Sequence, residues 1–277
     1  MESYLTAPNQ NIDVQGTIFA YREIGPKGAI PLLVLTHLTA TLDEWDPAFI
    51  DELAKSRHVI AFDNRGVGGS EGQTPSTVSE MADDAVLFIK ALGYQRVDLL
   101  GFSLGGFIGQ VISQRYPQIL RKLVLTGTGP SGGEGISDIT KVFPAALNKA
   151  ALAKKHPKNF LFFSQTELGQ KAAEDFLARL AKRTVVIDRA VSPATIDAQV
   201  KAIVDWGAKE LFSSAEVTHP VLIANGDADI MVPTLNSIKM FQGMPKAQLS
   251  IFPNSGHGSL FQYSTEFASQ VVHFLQE

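Results

Sequence analysis

The sequence predicts an α/β protein with a mostly parallel sheet that carries helices on both of its faces. Short runs of β-forming residues alternate with segments at helical spacing along most of the 277 residues. Most of these runs are continuously apolar, as is typical of parallel strands that are covered on both faces. One long stretch has helical patterns and almost no strand signal, which indicates a helical insertion in the α/β body.

The first predicted strand, residues 17–23, alternates between apolar and polar side chains and is expected to be half-buried and antiparallel. The later predicted strands are short, mostly apolar and followed by turn-forming or polar residues. They are residues 32–36, 59–62, 97–100, 123–126, 221–224 and 248–252. Their alternation with helices predicts one open sheet.

Amphipathic segments between these strands are predicted as helices. Residues 79–92 have apolar side chains at helical spacing and are followed by Gly93, a helix stop signal. Residues 104–116 end before Pro117, and residues 261–275 close the chain. We therefore expect helices on both faces of the sheet.

The regular alternation breaks between residues 130 and 218, which we predict to be a helical cap (lid). A glycine-rich turn at residues 129–135 opens this segment. Its helical patterns are residues 139–154, 159–165, 167–181 and 193–208, and its one short strand signal is at residues 185–187. Residues 1–129 and 219–277 would then form the body.

Composition narrows the possible chemistry. The 24 Lys and Arg against 28 Asp and Glu give a net charge of −4, which disfavours a nucleic-acid binder. The absence of cysteine excludes disulfides, thiolate metal sites and a cysteine nucleophile. No apolar stretch approaches the ~20 residues that span a bilayer, and residues 1–10 lack the features of a secretory signal. We expect a cytoplasmic protein without membrane or nucleic-acid partners.

A serine motif follows the predicted strand at residues 97–100. Residues 101–105 read Gly-Phe-Ser-Leu-Gly and open the next helix, which is the strand–turn–helix setting of a nucleophile elbow. The turn needs small neighbours because the backbone around Ser103 must be strained for its hydroxyl to project above the sheet. Ser103 is the predicted nucleophile.

A serine hydroxyl needs an adjacent base, and the base needs a group that orients it. His257 lies after the last predicted strand, where reactive groups of an open α/β sheet collect, and is the predicted base. His37 also ends a strand and is the alternative. Asp229, after the strand at residues 221–224, is the predicted orienting carboxylate, whereas Asp227 is expected to brace its own loop.

These features resemble the α/β-hydrolase family, in which the triad follows the chain order Ser103, Asp229, His257. Residues 17–25 are similar to the opening hairpin of that family, and residues 63–70 to its D-x-R-G-x-G-x-S loop. The resemblance implies a mostly parallel eight-stranded sheet, with the cap inserted after strand 6. A serine nucleophile disfavours the dehalogenase and epoxide-hydrolase branches, and Asp63 and Arg65 are expected to brace the loop.

The resemblance also implies an oxyanion hole made of the backbone N–H groups of Leu104 and Thr39. The family usually has His-Gly-x at the second position, but this chain has leucine at position 38. Leu38 constrains the backbone and adds bulk near the pocket floor. His37 is then expected to hold this loop.

The substrate pocket is expected between Ser103 and the cap, with apolar walls that suit a small or medium apolar ester. Predicted wall residues are Leu38, Phe102, Met231, Val232 and Leu260 on the body and Phe143 and Trp206 on the cap. The cap aromatics Phe160, Phe162 and Phe163 are further candidates, although such a run also suits packing of the cap onto the body.

The sequence thus predicts a serine hydrolase of carboxylic esters or lactones that acts through an acyl-enzyme without metal or cofactor. A carbon–carbon bond hydrolase or a haloperoxidase-like perhydrolase would use the same triad. A ligand receptor with little turnover is an alternative of another class. We expect a small-molecule substrate and a monomer or homodimer.

Overall fold

Eight strands form one sheet in the computed structural model of the chain, which describes residues 3–276. They are β1 (Gln10–Val14), β2 (Thr17–Ile24), β3 (Leu32–Leu35), β4 (Val59–Phe62), β5 (Val97–Phe102), β6 (Leu120–Thr126), β7 (Val221–Gly226) and β8 (Ala247–Phe252). Their order in the sheet is β1-β2-β4-β3-β5-β6-β7-β8. Strand β2 runs antiparallel to β1 and β4, and the other pairs are parallel. The predicted fold class is confirmed.

The edge strand β1 was not predicted from its residues. Three of its five side chains are polar and only Val14 is buried, since β1 pairs only with β2 and covers little of the core. A two-residue turn at Gln15 and Gly16, both with positive φ (53° and 84°), joins the two strands. This is the backbone conformation that tight hairpins prefer, because it matches the twist of the strands.

Ten helices accompany the sheet in the described part of the chain. They are α1 (Pro47–Ala54), α2 (Val78–Ala91), α3 (Leu104–Arg115), α4 (Ile139–Ala153), α5 (Lys158–Leu161), α6 (Glu167–Leu180), α7 (Pro193–Ala208), α8 (Leu235–Gly243), α9 (Ser259–Gln262) and α10 (Ser264–Gln276). None of these helices is both long and apolar enough to cross a membrane.

The sequence did not predict two helices of the body. A third helix was predicted as continuous but is divided into two in the structure. Helices α1 and α8 are short, so their periodic pattern is weak. The predicted helix at residues 261–275 is α9 and α10, separated at Tyr263. The Tyr263 hydroxyl donates to the Pro253 carbonyl at 2.8 Å and its ring stacks on Phe252, so this residue is held by the β8 loop.

Residues 127–220, between β6 and β7, contain α4 to α7 and no strand. We call this region the inserted segment. The strand signal at residues 185–187 is not a strand in the structure, where Val185, Val186 and Ile187 are exposed. Without a neighbouring strand to complete its hydrogen bonds, this β-branched run remains an irregular loop.

The inserted segment lies over the carboxyl edge of the parallel strands. Arg179 of α6 forms a bidentate pair with Asp46, which follows β3, with N–O distances of 2.9 and 2.6 Å. Thr195 of α7 donates to the Gly66 carbonyl after β4, and the Trp206 indole donates to the Gly129 carbonyl after β6. Asp46 and Gly66 of the body, and Gly129 at the start of the inserted segment, each follow the end of a strand, so the segment covers the edge where the predicted site residues lie.

Candidate active site

Ser103 occupies a strained turn between β5 and α3. Its backbone has φ 56° and ψ −118°, a conformation that non-glycine residues rarely adopt outside functional sites. The Ser103 N–H donates to the Thr126 carbonyl at 3.0 Å, and the Thr128 hydroxyl donates to the Ser103 carbonyl at 2.9 Å. The end of the neighbouring strand β6 and the loop that follows it therefore hold the strained peptide in place.

The glycines around Ser103 allow α3 to pack directly on the sheet. A Cβ on Gly105 would overlap the Leu35 carbonyl of β3, and one on Gly101 would overlap the Gly105 carbonyl. A Cβ on Gly106 would meet the Thr128 side chain at 2.5 Å. A side chain has no room at these positions, because backbone atoms fill the space at Gly101 and Gly105 and the Thr128 side chain fills it at Gly106.

His257 and Asp229 form a buried pair on the loops after β8 and β7. The His257 Nδ1 lies 2.8 Å from the Asp229 Oδ2, and both side chains are fully buried. The other carboxylate oxygen accepts the N–H groups of Met231 and Val232 at 2.8 and 3.0 Å. Because a carboxylate only accepts, Nδ1 carries the proton and Nε2 is left with its lone pair.

Ser103 and His257 line the same cavity but are not hydrogen bonded in the structure. The His257 Nε2 is buried and has no hydrogen-bond partner within residues 3–276. Catalytic hydrogen bonds are often long before substrate binds, so this geometry leaves Nε2 available as a proton acceptor.

The residues that were expected to brace the site lie outside the cavity lining. The Asp227 Oδ1 accepts the Ser255 N–H at 3.1 Å and so connects the loops after β7 and β8. Asp63 accepts the Leu42 and Gly69 N–H groups, and Arg65 pairs with Asp84. These hydrogen bonds and the Arg65–Asp84 pair hold the loops in place.

The two predicted oxyanion donors differ in their availability. Leu104 is the first residue of α3, so its N–H has no intrahelical acceptor and lies at the positive end of the helix dipole. Thr39 has φ +64°, and its N–H donates at 2.8 Å to the Gln199 Oε1 of α7. The second predicted donor is therefore occupied. The sequence held no signal for Gln199, which lies far from Thr39 along the chain.

His37 is buried at the end of β3, and its Nδ1–H donates to the Leu38 carbonyl at 2.8 Å. Its ring meets Phe102 and Phe162 edge-on. Burial, assisted by the charge of Lys158, holds the pKa of His37 well below its ordinary value. His37 is therefore neutral and fixes the loop that carries Thr39.

The cavity above Ser103 has a volume of about 200 Å³. Predicted wall residues Leu38, Phe143 and Met231 line it, together with Phe162 of the inserted segment. Leu147, Pro157 and Leu161 complete an apolar wall. The reactive groups thus face a small, largely apolar space.

Four predicted wall residues do not line this cavity. Phe102 and Leu260 are fully buried, and Val232 is buried beside Asp229, to which its N–H donates. Trp206 stacks on Phe107 at 5.2 Å and borders a separate groove on the surface. The prediction was wrong for them because apolar character does not distinguish a pocket wall from the packing behind it.

A charged pair beside the cavity was not predicted. Lys158 of α5 forms an ion pair with Glu44, and both residues are part of the lining. The Lys158 ammonium lies over the rings of Phe162 and Phe176, 5.3 and 5.5 Å from their centres. Burial lowers the pKa of Lys158 to about 7. The pair joins the inserted segment to the body at the cavity wall.

Comparisons with known proteins agree with this architecture. The alpha/beta hydrolase fold family model matches residues 30–262. A solved alpha/beta hydrolase fold protein from Chitinophaga pinensis is 41% identical, with a TM-score of 0.92 and 99% of each chain covered. The 2-hydroxymuconate semialdehyde hydrolase of Pseudomonas sp. strain CF600 is 29% identical over 82% of this chain and 79% of its own. The poly(3-hydroxyalkanoate) depolymerase of Ectopseudomonas oleovorans is 27% identical over 89% and 84%.

Replacing Gly105 by alanine is expected to lower the free energy of unfolding by about 1–3 kcal/mol or more, because the new Cβ forces α3 away from β3. Urea denaturation measures the change. Gly28→Ala is the matched control, since a Cβ there has no neighbour within 4 Å. Equal stability of the two variants would contradict the close packing described for the Ser103 turn.

Proposed function

The chain belongs to the alpha/beta hydrolase fold family, and we propose that it is a serine hydrolase of carboxylic esters or lactones. One observation carries this proposal. The strained Ser103 shares a cavity with His257, whose ring is oriented by the buried carboxylate of Asp229. A catalytic triad consists of a hydroxyl, a base with a free lone pair and a group that orients the base.

In the proposed acylation step, the His257 Nε2 takes the proton of Ser103 as its Oγ attacks the substrate carbonyl carbon. The buried Asp229 keeps the proton on Nδ1 and stabilises the imidazolium that forms. His257 then gives the proton to the leaving alkoxide, which departs as an alcohol and leaves an acylated serine.

The negative charge of the tetrahedral intermediate needs backbone donors. Leu104 supplies one N–H at the start of α3, where the helix dipole also favours negative charge. We propose Thr39 as the second donor, once its N–H is released from the Gln199 carboxamide.

In the proposed deacylation step, His257 removes a proton from water, and the hydroxide attacks the acyl carbon. The tetrahedral intermediate collapses, Ser103 recovers its proton from His257, and a carboxylic acid is released. Every step uses groups of this chain, so we propose a reaction without metal or organic cofactor.

The cavity supports a small or medium apolar substrate. Its volume of about 200 Å³ is below the roughly 300–1,000 Å³ of common ligand pockets. Apolar side chains from the body and the inserted segment, including Leu38 and Phe143, form the walls. We therefore propose that residues 130–218 act as a cap that limits the size of the substrate.

A fluorophosphonate probe tests the nucleophile. We expect the wild-type protein to gain one phosphonyl group on the peptide containing Ser103, and Ser103→Ala to gain none. Ser79→Ala, a half-buried serine of α2 outside the cavity, is the control and should react like the wild type. Intact-protein and peptide mass spectrometry give the result. Labelling that persists in Ser103→Ala would overturn the proposal.

Asp229→Asn is expected to lower kcat for a short-chain p-nitrophenyl ester by about 10⁴-fold, because the amide stabilises the wrong tautomer of His257. Asp227→Asn keeps an oxygen that accepts the Ser255 N–H and should retain most of the activity. Steady-state kinetics separate the two variants. Similar losses in both would show that Asp229 acts as a support for its loop and not on His257.

Carbon–carbon bond hydrolysis is the second candidate, because the 29% identical relative is a 2-hydroxymuconate semialdehyde hydrolase. A panel of p-nitrophenyl esters, simple lactones and vinylogous diketones discriminates between the two reactions. We expect esters or lactones to have the highest kcat/KM. A vinylogous diketone preferred by a factor of ten or more would favour the second candidate.

A further inference from the structure

We propose that Gln199 is a positioning residue that occupies the second oxyanion donor in the resting protein and selects for substrates able to displace it. This inference rests on the proposed function, because it gives Thr39 a role in stabilising the oxyanion. It concerns a contact between α7 of the inserted segment and the loop after β3.

The chemistry of the two groups defines the hydrogen bond between Thr39 and Gln199. The Thr39 N–H can only donate, so the atom of Gln199 that faces it at 2.8 Å must be the carboxamide oxygen. Gln199 is fully buried, and no bulk water competes for this hydrogen bond. An amide oxygen therefore occupies the donor that the oxyanion of the substrate would need.

The other end of the carboxamide has no partner. The Gln199 Nε2 is buried and lacks a hydrogen-bond acceptor within residues 3–276. An unsatisfied buried donor costs free energy, because it has given up its hydrogen bonds to water. Within residues 3–276, the bond to Thr39 is thus the one hydrogen bond of this side chain, and the orientation of the carboxamide depends on it.

Helix α7 itself is fixed on both sides of Gln199. Thr195 donates to the Gly66 carbonyl at 3.1 Å, and the Trp206 indole donates to the Gly129 carbonyl at 3.2 Å. The Thr195 hydroxyl also lies 3.0 Å from the Thr74 hydroxyl. Release of Thr39 therefore requires rotation of the Gln199 side chain, and not removal of the whole helix.

The contact discriminates between the bound substrate and the transition state. The carbonyl oxygen of an ester is a neutral acceptor that must compete with the amide oxygen already in place. The oxyanion carries a full charge and forms a much stronger hydrogen bond with the Thr39 N–H. The Gln199 carboxamide is then displaced as the bound substrate proceeds to the transition state. The contact therefore lowers kcat more than it raises KM. Substrates with activated carbonyls are favoured.

Two substitutions at this position have opposite expected effects. Gln199→Met keeps the length of the side chain and removes the acceptor, so kcat should rise by about three- to tenfold, the effect of one hydrogen bond, with little change in KM. Gln199→Glu keeps an oxygen on the Thr39 N–H and adds a negative charge that repels the oxyanion, so kcat should fall at least about tenfold. Thr195→Val weakens the docking of α7 without touching Thr39 and is the control.

Thermal unfolding is measured alongside the kinetics. A merely structural Gln199 would lower kcat and the unfolding temperature together in both variants, and that result would overturn the inference. A rise of kcat in Gln199→Met that Thr195→Val does not reproduce supports it.

Hydrogen exchange of the Thr39 amide tests the contact in the wild-type protein, whether or not the variants fold. We expect a protected amide in the resting protein and a changed chemical shift after phosphonylation of Ser103, when the phosphonyl oxygen replaces the carboxamide. A resting amide that exchanges as fast as an exposed loop would overturn the inference. Wild-type protein that is not phosphonylated at all would overturn the proposed function as well, whereas failure of the Gln199 tests alone leaves it standing.

Discussion

The site depends on the close packing of α3 against the centre of the sheet. Backbone meets backbone where Gly105 faces the Leu35 carbonyl and where Gly101 faces Gly105. This packing leaves so little length for the connection that Ser103 must adopt a positive φ. Hydrogen bonds of Thr126, the last residue of β6, and of Thr128 just after it hold this strained backbone, which places the Ser103 hydroxyl beside the start of a helix. The position of Ser103, the proposed nucleophile, and that of the Leu104 N–H, the proposed oxyanion donor, thus depend on the same packing.

The inserted segment both completes the site and restricts it. Lys158 pairs with Glu44 at the cavity wall, Arg179 pairs with Asp46, and Gln199 occupies the N–H of Thr39. These contacts hold the inserted segment beside a cavity of about 200 Å³ that Ser103 lines. Because an enclosed and largely apolar space has a low dielectric constant, electrostatic interactions within it are stronger than in water. We propose that the inserted segment thereby limits the size of the substrate.

Local patterns accounted for most of the fold and for the residues proposed as the triad. Strand and helix periodicities are local, and the carboxyl ends of parallel strands meet at one edge, so Ser103, Asp229 and His257 could be selected together. The edge strand β1 was missed because it buries little. Trp206 was assigned to the pocket, and Gln199 was missed, because packing between distant segments decides which side chains face the cavity. Such contacts leave no periodic signal in a single sequence.

The central claim is that Ser103 forms a covalent acyl intermediate under the control of His257. Rapid-quench mass spectrometry with a short-chain p-nitrophenyl ester tests it most directly. We expect a burst of p-nitrophenol close to one equivalent per protein, and the mass of one acyl group on the Ser103 peptide at the same times. Turnover of the ester by Ser103→Ala at the wild-type rate would contradict this proposal, since water would then attack the substrate without a serine nucleophile.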